Sequence, residues 1–474
     1  MIEGLSEGPG SMRILVVIAS YGTQNDIHLE RMLKELRAMP YSVDIIVLSN
    51  VHKDLGADIQ VKVGLPTSNP WSLPFGHRRI FADELNNYDV FLYSEDDMLL
   101  TRNHVDAFLE YSSILPEHQV PGFLRIEHGV SGQIQYCDFQ FGFGWDLQSV
   151  QRHSSQIFAF FYNEHAACYA LTREQLARAI QSGYFLVGPH EGRYDMLCSA
   201  ATDPYTQCGL KKMICISEIE RISVHHLSNK YAEKLGLSKP DLLEQVRVLV
   251  DIAEHGPIYA PLVQLEHKLD GGRYSRDHYE AEREDILSLV PKETKSVLSF
   301  GGGETEISLA KSGMRVVTIP ADPVASARAA RQGVEIILGD WASIDQQLQG
   351  EQFDCLLLHN VLHVGREPKA SLSLLMQFLR NDGVILVSSP VISGLAFWNG
   401  WLRRGEGPKA YREAGINRLS PSLLTNWLRQ NGGKIILSRY VPPREGKLAK
   451  LSRWKILQPV AAKEFLLFAK KGAI

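Results

Sequence analysis

Apolar runs of strand length alternate with segments of helical spacing through most of this chain. Arg13–Ala19 (RILVVIA) is apolar almost throughout, as a strand covered on both faces must be. Asp26–Met39 follows with Ile27, Leu29, Met32, Leu33 and Leu36 at helical intervals, and Val43–Ser49 (VDIIVLS) reads as a second strand. A strand, a helix and a strand in this order predict parallel pairing through a right-handed crossover. After a loop rich in Pro and Trp (Leu65–Gly76), the pattern predicts a helix at His77–Leu85 and a strand at Asp89–Ser94. That strand delivers Glu95, Asp96 and Asp97 to its carboxyl end, the edge at which open α/β sheets bind ligands. From Gln119 to Ile222 the pattern is mixed, with one clear helix at Thr172–Ser182, whereas Leu237–His255 is strongly helical.

Gly256–Arg276 has the character of a connector, and Asp277–Leu289 reads as a helix opening a second α/β run. Strands are predicted at Val297–Phe300, Arg315–Ile319, Val334–Leu338, Phe353–Leu358 and Val384–Ser388. Helices are predicted at Glu306–Ser312, Pro323–Gln332, Ala370–Leu379 and Ser420–Asn431, and Lys434–Tyr440 with Glu464–Ala469 should form a late hairpin at one edge. The expected fold class is α/β with two doubly wound domains, residues 12–235 and 275–474, joined by a helical connector over residues 236–274.

Length agrees, because 474 residues exceed one ordinary core. A hydrophobic share of 45% with 22% charged residues is that of a globular protein. The net charge of −4 lacks the basic footprint of nucleic-acid binding, so no nucleic-acid partner is expected. Apolar runs such as Val90–Tyr93 and Cys355–Leu358 are far shorter than the roughly 20 residues of a membrane span, so no transmembrane segment is expected. Residues 1–11 are small and polar and lack a secretory pattern. The six cysteines (Cys137, Cys168, Cys198, Cys208, Cys215 and Cys355) have neither CxxC nor metal-finger spacing, which fits buried free thiols and a cytoplasmic location.

Two segments carry the candidate chemistry. In the second half, Ser296–Thr305 (SVLSFGGGET) is a strand running into three glycines and then a helix, a turn that lets backbone approach a ligand while the helix start offers free N–H groups. Asp322 follows about one βα unit on, where an acid can hold a ribose. Asp340-Trp341 come after the third strand, His359-Asn360 and His363 after the fourth, and Leu379-Arg380-Asn381-Asp382-Gly383 lead into the fifth. In order, these landmarks over roughly residues 275–471 resemble class I S-adenosylmethionine-dependent methyltransferases. The resemblance implies that Gly301 and Gly303 line the methionine and ribose portions, Asp322 holds the ribose, Asp340 and Trp341 flank adenine, and His359-Asn360 lie beneath the sulfonium. It makes His363 a candidate base, beside the plainer reading of a structural histidine. The sequence departs from the family at Ser299, where an acid is usual, at Thr305, where glycine is usual, and at Pro320, which occupies the expected place of the ribose acid.

In the first half, clustered carboxylates at a strand end repel one another unless a hard cation with oxygen ligands relieves them; the alternative is an exposed acidic turn. Residues 12–230 resemble a GT-A type nucleotide-sugar glycosyltransferase, with Glu95-Asp96-Asp97 in the place of its acidic metal-binding signature. By that likeness Glu95 and Asp97 bind a divalent metal, Mn²⁺ or Mg²⁺, with His225 or His226 completing the shell. Ser20 and Tyr21 would receive the nucleoside, Arg78 and Arg79 the diphosphate, and Asp195, or else Glu191, would activate the acceptor. Leu395–Arg412 (LAFWNGWLRRGEGPKAYR) is open to two readings, an active-site lid or peripheral contact with a lipid surface, the lid being the simpler.

The combined expectation is a bifunctional enzyme with a nucleotide-sugar donor, S-adenosylmethionine, and a glycan or lipid-linked glycan acceptor. A methyltransferase with a glycan-binding N-terminal module, and a methyltransferase-like domain serving as a non-catalytic scaffold, are the alternatives.

Overall fold

The structure, a computed structural model, describes residues 12–140, 143–256, 262–263, 281–392, 397–398, 401–402, 407–442, 454 and 457–472. The chain forms two compact units: Met1–Phe139 with Trp145–Glu254, and Gln140–Gly144 with His255–Ile474.

The first unit is built on a five-stranded sheet of order β11-β4-β1-β2-β3. Its strands are β1 (Arg13–Ser20), β2 (Ser42–Ser49), β3 (Ile59–Val63), β4 (Val90–Glu95) and β11 (Cys168–Thr172). The first four are parallel, and β11 runs antiparallel beside β4. Every residue of β1 after Arg13 is buried, as expected for a central strand covered on both faces. The helix Asp26–Arg37 makes the predicted crossover; Leu29, Met32, Leu33 and Leu36 are buried, and Lys34 and Arg37 complement the dipole of its last turn. The loop expected before the second helix contains a 3₁₀ turn, Pro70–Phe75, capped by Asn69 accepting from the Trp71 N–H.

Two further sheets complete this unit. One has the order β6-β12-β10-β9, from β6 (Gln119–Pro121), β9 (Trp145–His153), β10 (Gln156–Phe161) and β12 (Lys211–Cys215). The other has the order β14-β8-β7-β13-β5, from β5 (Met98–Leu99), β7 (Leu124–His128), β8 (Ile134–Tyr136), β13 (Ser223–His226) and β14 (Leu237–Ser238). Strand β5 begins directly after the acidic triplet and pairs antiparallel with β13, His226 opposite Met98. This register brings the late histidines to the acidic strand end, a juxtaposition that sequence spacing alone does not show.

The second unit holds one seven-stranded sheet of order β17-β16-β15-β18-β19-β21-β20. The strands are β15 (Ser296–Gly301), β16 (Arg315–Pro320), β17 (Glu335–Ile336), β18 (Phe353–His359), β19 (Leu379–Pro390), β20 (Gly433–Val441) and β21 (Glu464–Lys471). β15 to β19 are parallel, and the last two form the antiparallel edge. Alternate residues of the central strands feed two apolar clusters, with Leu298, Phe300, Leu356 and Leu358 in one and Val297, Cys355 and Leu357 in the other. The strand order reverses between β15 and β18, so the ends of these strands form the crevice at a topological switch point. The predicted helix at Pro323–Gln332 is shorter, Ala327–Arg331, because Asp322 turns the chain through bonds to the Val324 and Ala325 N–H groups. Residues 277–280 of the predicted helix Asp277–Leu289 fall outside the described residues; of the rest, only Glu284–Leu287 is helical.

Candidate functional sites

In the second unit, the glycine turn is held by a side chain the strand pattern does not reveal. Gly302 has φ of +82°, and a Cβ built on it would lie 2.8 Å from Ser326 Oγ and 3.1 Å from Thr318 Cγ2, so only glycine fits without displacement. Glu306, on the first turn of the helix Glu304–Lys311, reaches back to this turn. Its Oε1 accepts from Ser299 Oγ at 2.6 Å and from the Gly302 N–H at 3.3 Å. Thr305 Oγ1 accepts from the Arg283 N–H at 3.1 Å. Both departures from the family pattern, Ser299 and Thr305, therefore have local partners.

Around Gly302 lie four buried polar atoms without a hydrogen-bond partner among the described residues: Glu306 Oε2, Thr318 Oγ1, Asp322 Oδ2 and Ser326 Oγ. Asp322 is 0% exposed, and burial pushes its pKa up to about 6, while the two backbone bonds to its Oδ1 work against that shift. Pro320 ends β16 by sequence, and Asp322 lies two residues beyond it with one oxygen unpaired. Buried polar atoms are normally satisfied, so a cluster of unmet acceptors and hydroxyls beside a glycine turn fits a hydroxyl-rich ligand. These residues therefore fit the adenosyl cofactor that the sequence suggests.

The other expected residues are placed unevenly. Trp341 packs edge-on against Phe300 near the end of β15, with centroids 5.3 Å apart, and so lies near the glycine turn. Asp340 is exposed and caps the helix Trp341–Gln347 by accepting from the Ser343 N–H at 2.8 Å. His359 is buried with Nδ1 2.6 Å from Ser388 Oγ, and Asn360 adopts φ of +46° at the end of β18. Asn360 Nδ2 donates to Glu464 at 2.9 Å, and Glu464 also pairs with Arg283. His363 is 1% exposed, and its carbonyl accepts from the Asn417 N–H at 2.7 Å. That placement suits a structural histidine rather than a base open to substrate. A separate cavity of about 570 Å³ opens between the helices Pro368–Gln377 and Pro421–Gln430, lined in part by Lys369, Asn417, Arg418 and Trp427. In the Leu395–Arg412 segment, Trp398 and Trp401 are exposed and stack at 5.0 Å, while residues 395–396, 399–400 and 403–406 lie outside the described residues.

In the first unit, the acidic triplet divides its work. Asp96 accepts from Ser20 Oγ and from Asn25 Nδ2, both at 2.7 Å, which ties the acidic turn to the end of β1. The next turn is fixed from the chain just after β2, where Asn50 Oδ1 accepts from the Gly22 N–H at 2.7 Å and Lys53 Nζ donates to the Gly22 carbonyl at 2.6 Å. Tyr21, at 51% exposed, stands free beside it. Burial, and then the Asp97 charge, push the Glu95 pKa up to about 8. Burial alone would raise Asp97 as well, but the bond and charge of His226 hold its pKa below the ordinary value.

His226 lies between two carboxylates, Nε2 at 2.9 Å from Asp97 and Nδ1 at 2.5 Å from Glu127. Burial disfavours its charged form, yet these bonds raise its pKa and favour a ring protonated on both nitrogens. Neither nitrogen is left for a metal. His225 faces the other way, stacking on His128 at 4.2 Å and meeting Asn229 Oδ1 at 3.0 Å. Among the described residues no group of three His, Cys, Asp or Glu is arranged to hold a metal ion. The expected ligand set of Glu95, Asp97 and His225 or His226 therefore does not fit a resident Mn²⁺ or Mg²⁺ in this arrangement.

Arg78 also requires correction. It is 2% exposed and donates to Asp203 at 2.7 Å and to the Ser199 and Ala200 carbonyls, so its charge is spent inside the fold rather than offered to a diphosphate. Arg79 is exposed and pairs with Asp83 one turn on. Asp195 is exposed and caps the helix Met196–Thr206 by accepting from the Cys198 N–H at 2.9 Å, and Glu191 is exposed on the preceding turn. Glu127 and Glu306 were missed because each acts through a tertiary bond; for Glu306 the available signal was an acid three residues beyond Gly303.

No curated protein matches the chain. Among solved structures, a SAM-dependent methyltransferase from Archaeoglobus fulgidus aligns over 40% of this chain and 92% of its own at 14% identity, with a TM-score of 0.31. Magnesium protoporphyrin IX methyltransferase of Synechocystis with bound SAH aligns over 40% and 78% at 17% identity and a TM-score of 0.29. An O-methyltransferase from Bacillus cereus in complex with SAH aligns over 38% and 74% at 17% identity and a TM-score of 0.25. Residues 298–387, from β15 through most of β19, match the family described as "Methyltransferase domain". Residues 298–387 of the second unit are thus similar to a methyltransferase domain.

Proposed function

We propose that this chain is a two-site transferase, which O-methylates a glycan with S-adenosylmethionine in its second unit and transfers a sugar from a nucleotide-sugar donor in its first. Assembly of a surface polysaccharide or its lipid-linked precursor is the proposed setting, in the cytoplasm. Among the described residues no helix is long and apolar enough to cross a membrane. The observation that carries the methyl-transfer half is the cluster of unmet buried polar atoms around Gly302, inside the segment matched as a methyltransferase domain.

S-adenosylmethionine supplies, when bound, a methyl group on a positively charged sulfur. The residues of this chain would hold and orient it. Asp322 Oδ2 is the proposed acceptor from a ribose hydroxyl, which would take the place of the Gly144 backbone now packed against that oxygen. The Gly301–Gly303 backbone would admit close approach, and Trp341 would offer an aromatic wall. Asn360, fixed by Glu464, lies at the end of β18 on the side assigned to the sulfonium. In-line methyl transfer depends mainly on such positioning.

The sugar-transfer half is supported by the parallel strands β3-β2-β1-β4, the antiparallel strand beside β4, and the acidic triplet at the carboxyl edge. Ser20 and Tyr21 are the proposed nucleoside contacts, and Asp195 is the proposed acceptor-activating carboxylate. No step is routed through a metal. A narrower reading, methyltransferase with a glycan-binding first unit, is favoured by the carboxylate contacts at both His226 nitrogens and by the internal use of Arg78. The test is to incubate each common nucleotide sugar with the protein, with and without Mn²⁺, and to measure released nucleotide. The two-site reading expects release from one donor and its loss in Asp97→Ala; no release from any donor leaves the narrower reading standing.

A further inference from the structure

A buried carboxylate with one oxygen unmatched calls for a cation or a donor, because isolated charge is costly away from water. Glu306 is such a group. It is 1% exposed, its Oε1 is anchored by Ser299 and Gly302, and its Oε2 has no partner among the described residues. Strand order places it between two parts of the proposed site. β15, which Glu306 touches through Ser299, lies between β16, which leads to Asp322, and β18, which ends at His359-Asn360. A cofactor with its ribose at Asp322 and its sulfonium toward Asn360 therefore crosses the strand end that Glu306 covers. S-adenosylmethionine carries one cation besides its permanent sulfonium, the protonated amine of its amino-acid arm.

We propose that Glu306 binds this ammonium, and that the carboxylate usual on the strand at the place of Ser299 has moved to the following helix. The inference rests on the methyltransferase reading. Ser299 then serves as the hydroxyl that orients Glu306, and Gly302 supplies the second anchor. A carboxylate fixed at two points before the ligand arrives loses little freedom on binding, which favours affinity. Glu306 is a positioning residue for the cofactor and carries out no chemical step.

The test is titration calorimetry on the full-length protein with two probes, S-adenosylhomocysteine, which keeps the ammonium arm, and 5′-methylthioadenosine, which lacks it. Glu306→Gln keeps shape and anchors but removes charge, and a lost hydrogen bond to a charged group corresponds to about tenfold or more in affinity. S-adenosylhomocysteine should weaken by that factor, while 5′-methylthioadenosine stays within about twofold. Equal weakening of both probes, or no change in either, overturns the assignment, since a purely structural residue would move them together. Should Glu306→Gln fail to fold, the wild-type protein decides: an S-adenosylhomocysteine analogue with hydroxyl in place of the ammonium should bind about tenfold more weakly, and equal affinity overturns the proposal. Wild-type protein that binds neither probe removes the methyltransferase reading, and this inference with it. As a rescue, Ser299→Asp combined with Glu306→Ser, which returns the carboxylate to the strand, should restore affinity for S-adenosylhomocysteine.

Discussion

Asp322, the proposed ribose contact, is fully buried with one carboxylate oxygen unpaired among the described residues. A solvated aspartate titrates near 3.9, whereas burial pushes this one up to about 6 in the folded protein. Between those values the folded chain holds a proton that the unfolded chain has already lost, so stability falls as pH rises through the window and levels off above it. The shift of about two units corresponds to roughly 3 kcal/mol of lost stability at neutral pH, an upper bound for one residue. Asp322→Asn removes the charge and leaves Oδ1 to accept the Val324 and Ala325 N–H groups. It should raise the unfolding temperature at pH 8, raise it much less near pH 4, and weaken S-adenosylmethionine binding by about tenfold or more. Scanning calorimetry at the two pH values checks the first part and titration calorimetry the second. A variant less stable than wild type at pH 8 contradicts this account of the site.

At the scale of elements, the glycine turn is the part on which the proposed cofactor binding depends. Gly302→Ala forces a Cβ into a left-handed backbone position and to 2.8 Å from Ser326 Oγ. The expected result is destabilisation of about 1–2 kcal/mol and a loss of cofactor affinity larger than that from a change on the exposed face of the same helix. Urea unfolding and calorimetry of the purified variant measure both. The turn was legible in the sequence as three glycines between an apolar run and a helical pattern. Such turns also serve NAD, FAD or other nucleotides, or no ligand, and the cofactor reading comes from the landmarks after it. The alternating elements of residues 13–95 and of the second unit were legible because period and length separate them, whereas the short strands between Gln119 and Ile222 read only as a mixed pattern. Glu306 escaped because its role depends on a side chain folding back over β15, which spacing does not encode. Arg78 misled because an arginine beside a candidate cleft looks the same in sequence whether it faces ligand or, as here, Asp203. The late histidines were legible as a pair, but which of them meets Asp97 is set by the pairing of β5 with β13.

At the scale of the whole molecule, two α/β units follow one another along one chain, each with polar groups gathered at the carboxyl edge of its sheet. In the second unit Glu306 Oε2, Thr318 Oγ1, Asp322 Oδ2 and Ser326 Oγ have no partner among the described residues; in the first, Asp96, Asp97 and His226 bond one another or their neighbours. The contrast makes cofactor binding by the second unit the central claim and sugar transfer the dependent one. If both reactions occur, tethering places one product at high effective concentration near the second site, provided the connection between units spans them. The most direct test is titration calorimetry of the intact wild-type protein with S-adenosylmethionine. One site per chain, with a dissociation constant on the order of 1–100 μM, is the predicted result. No detectable heat at millimolar cofactor, over several temperatures, would contradict it.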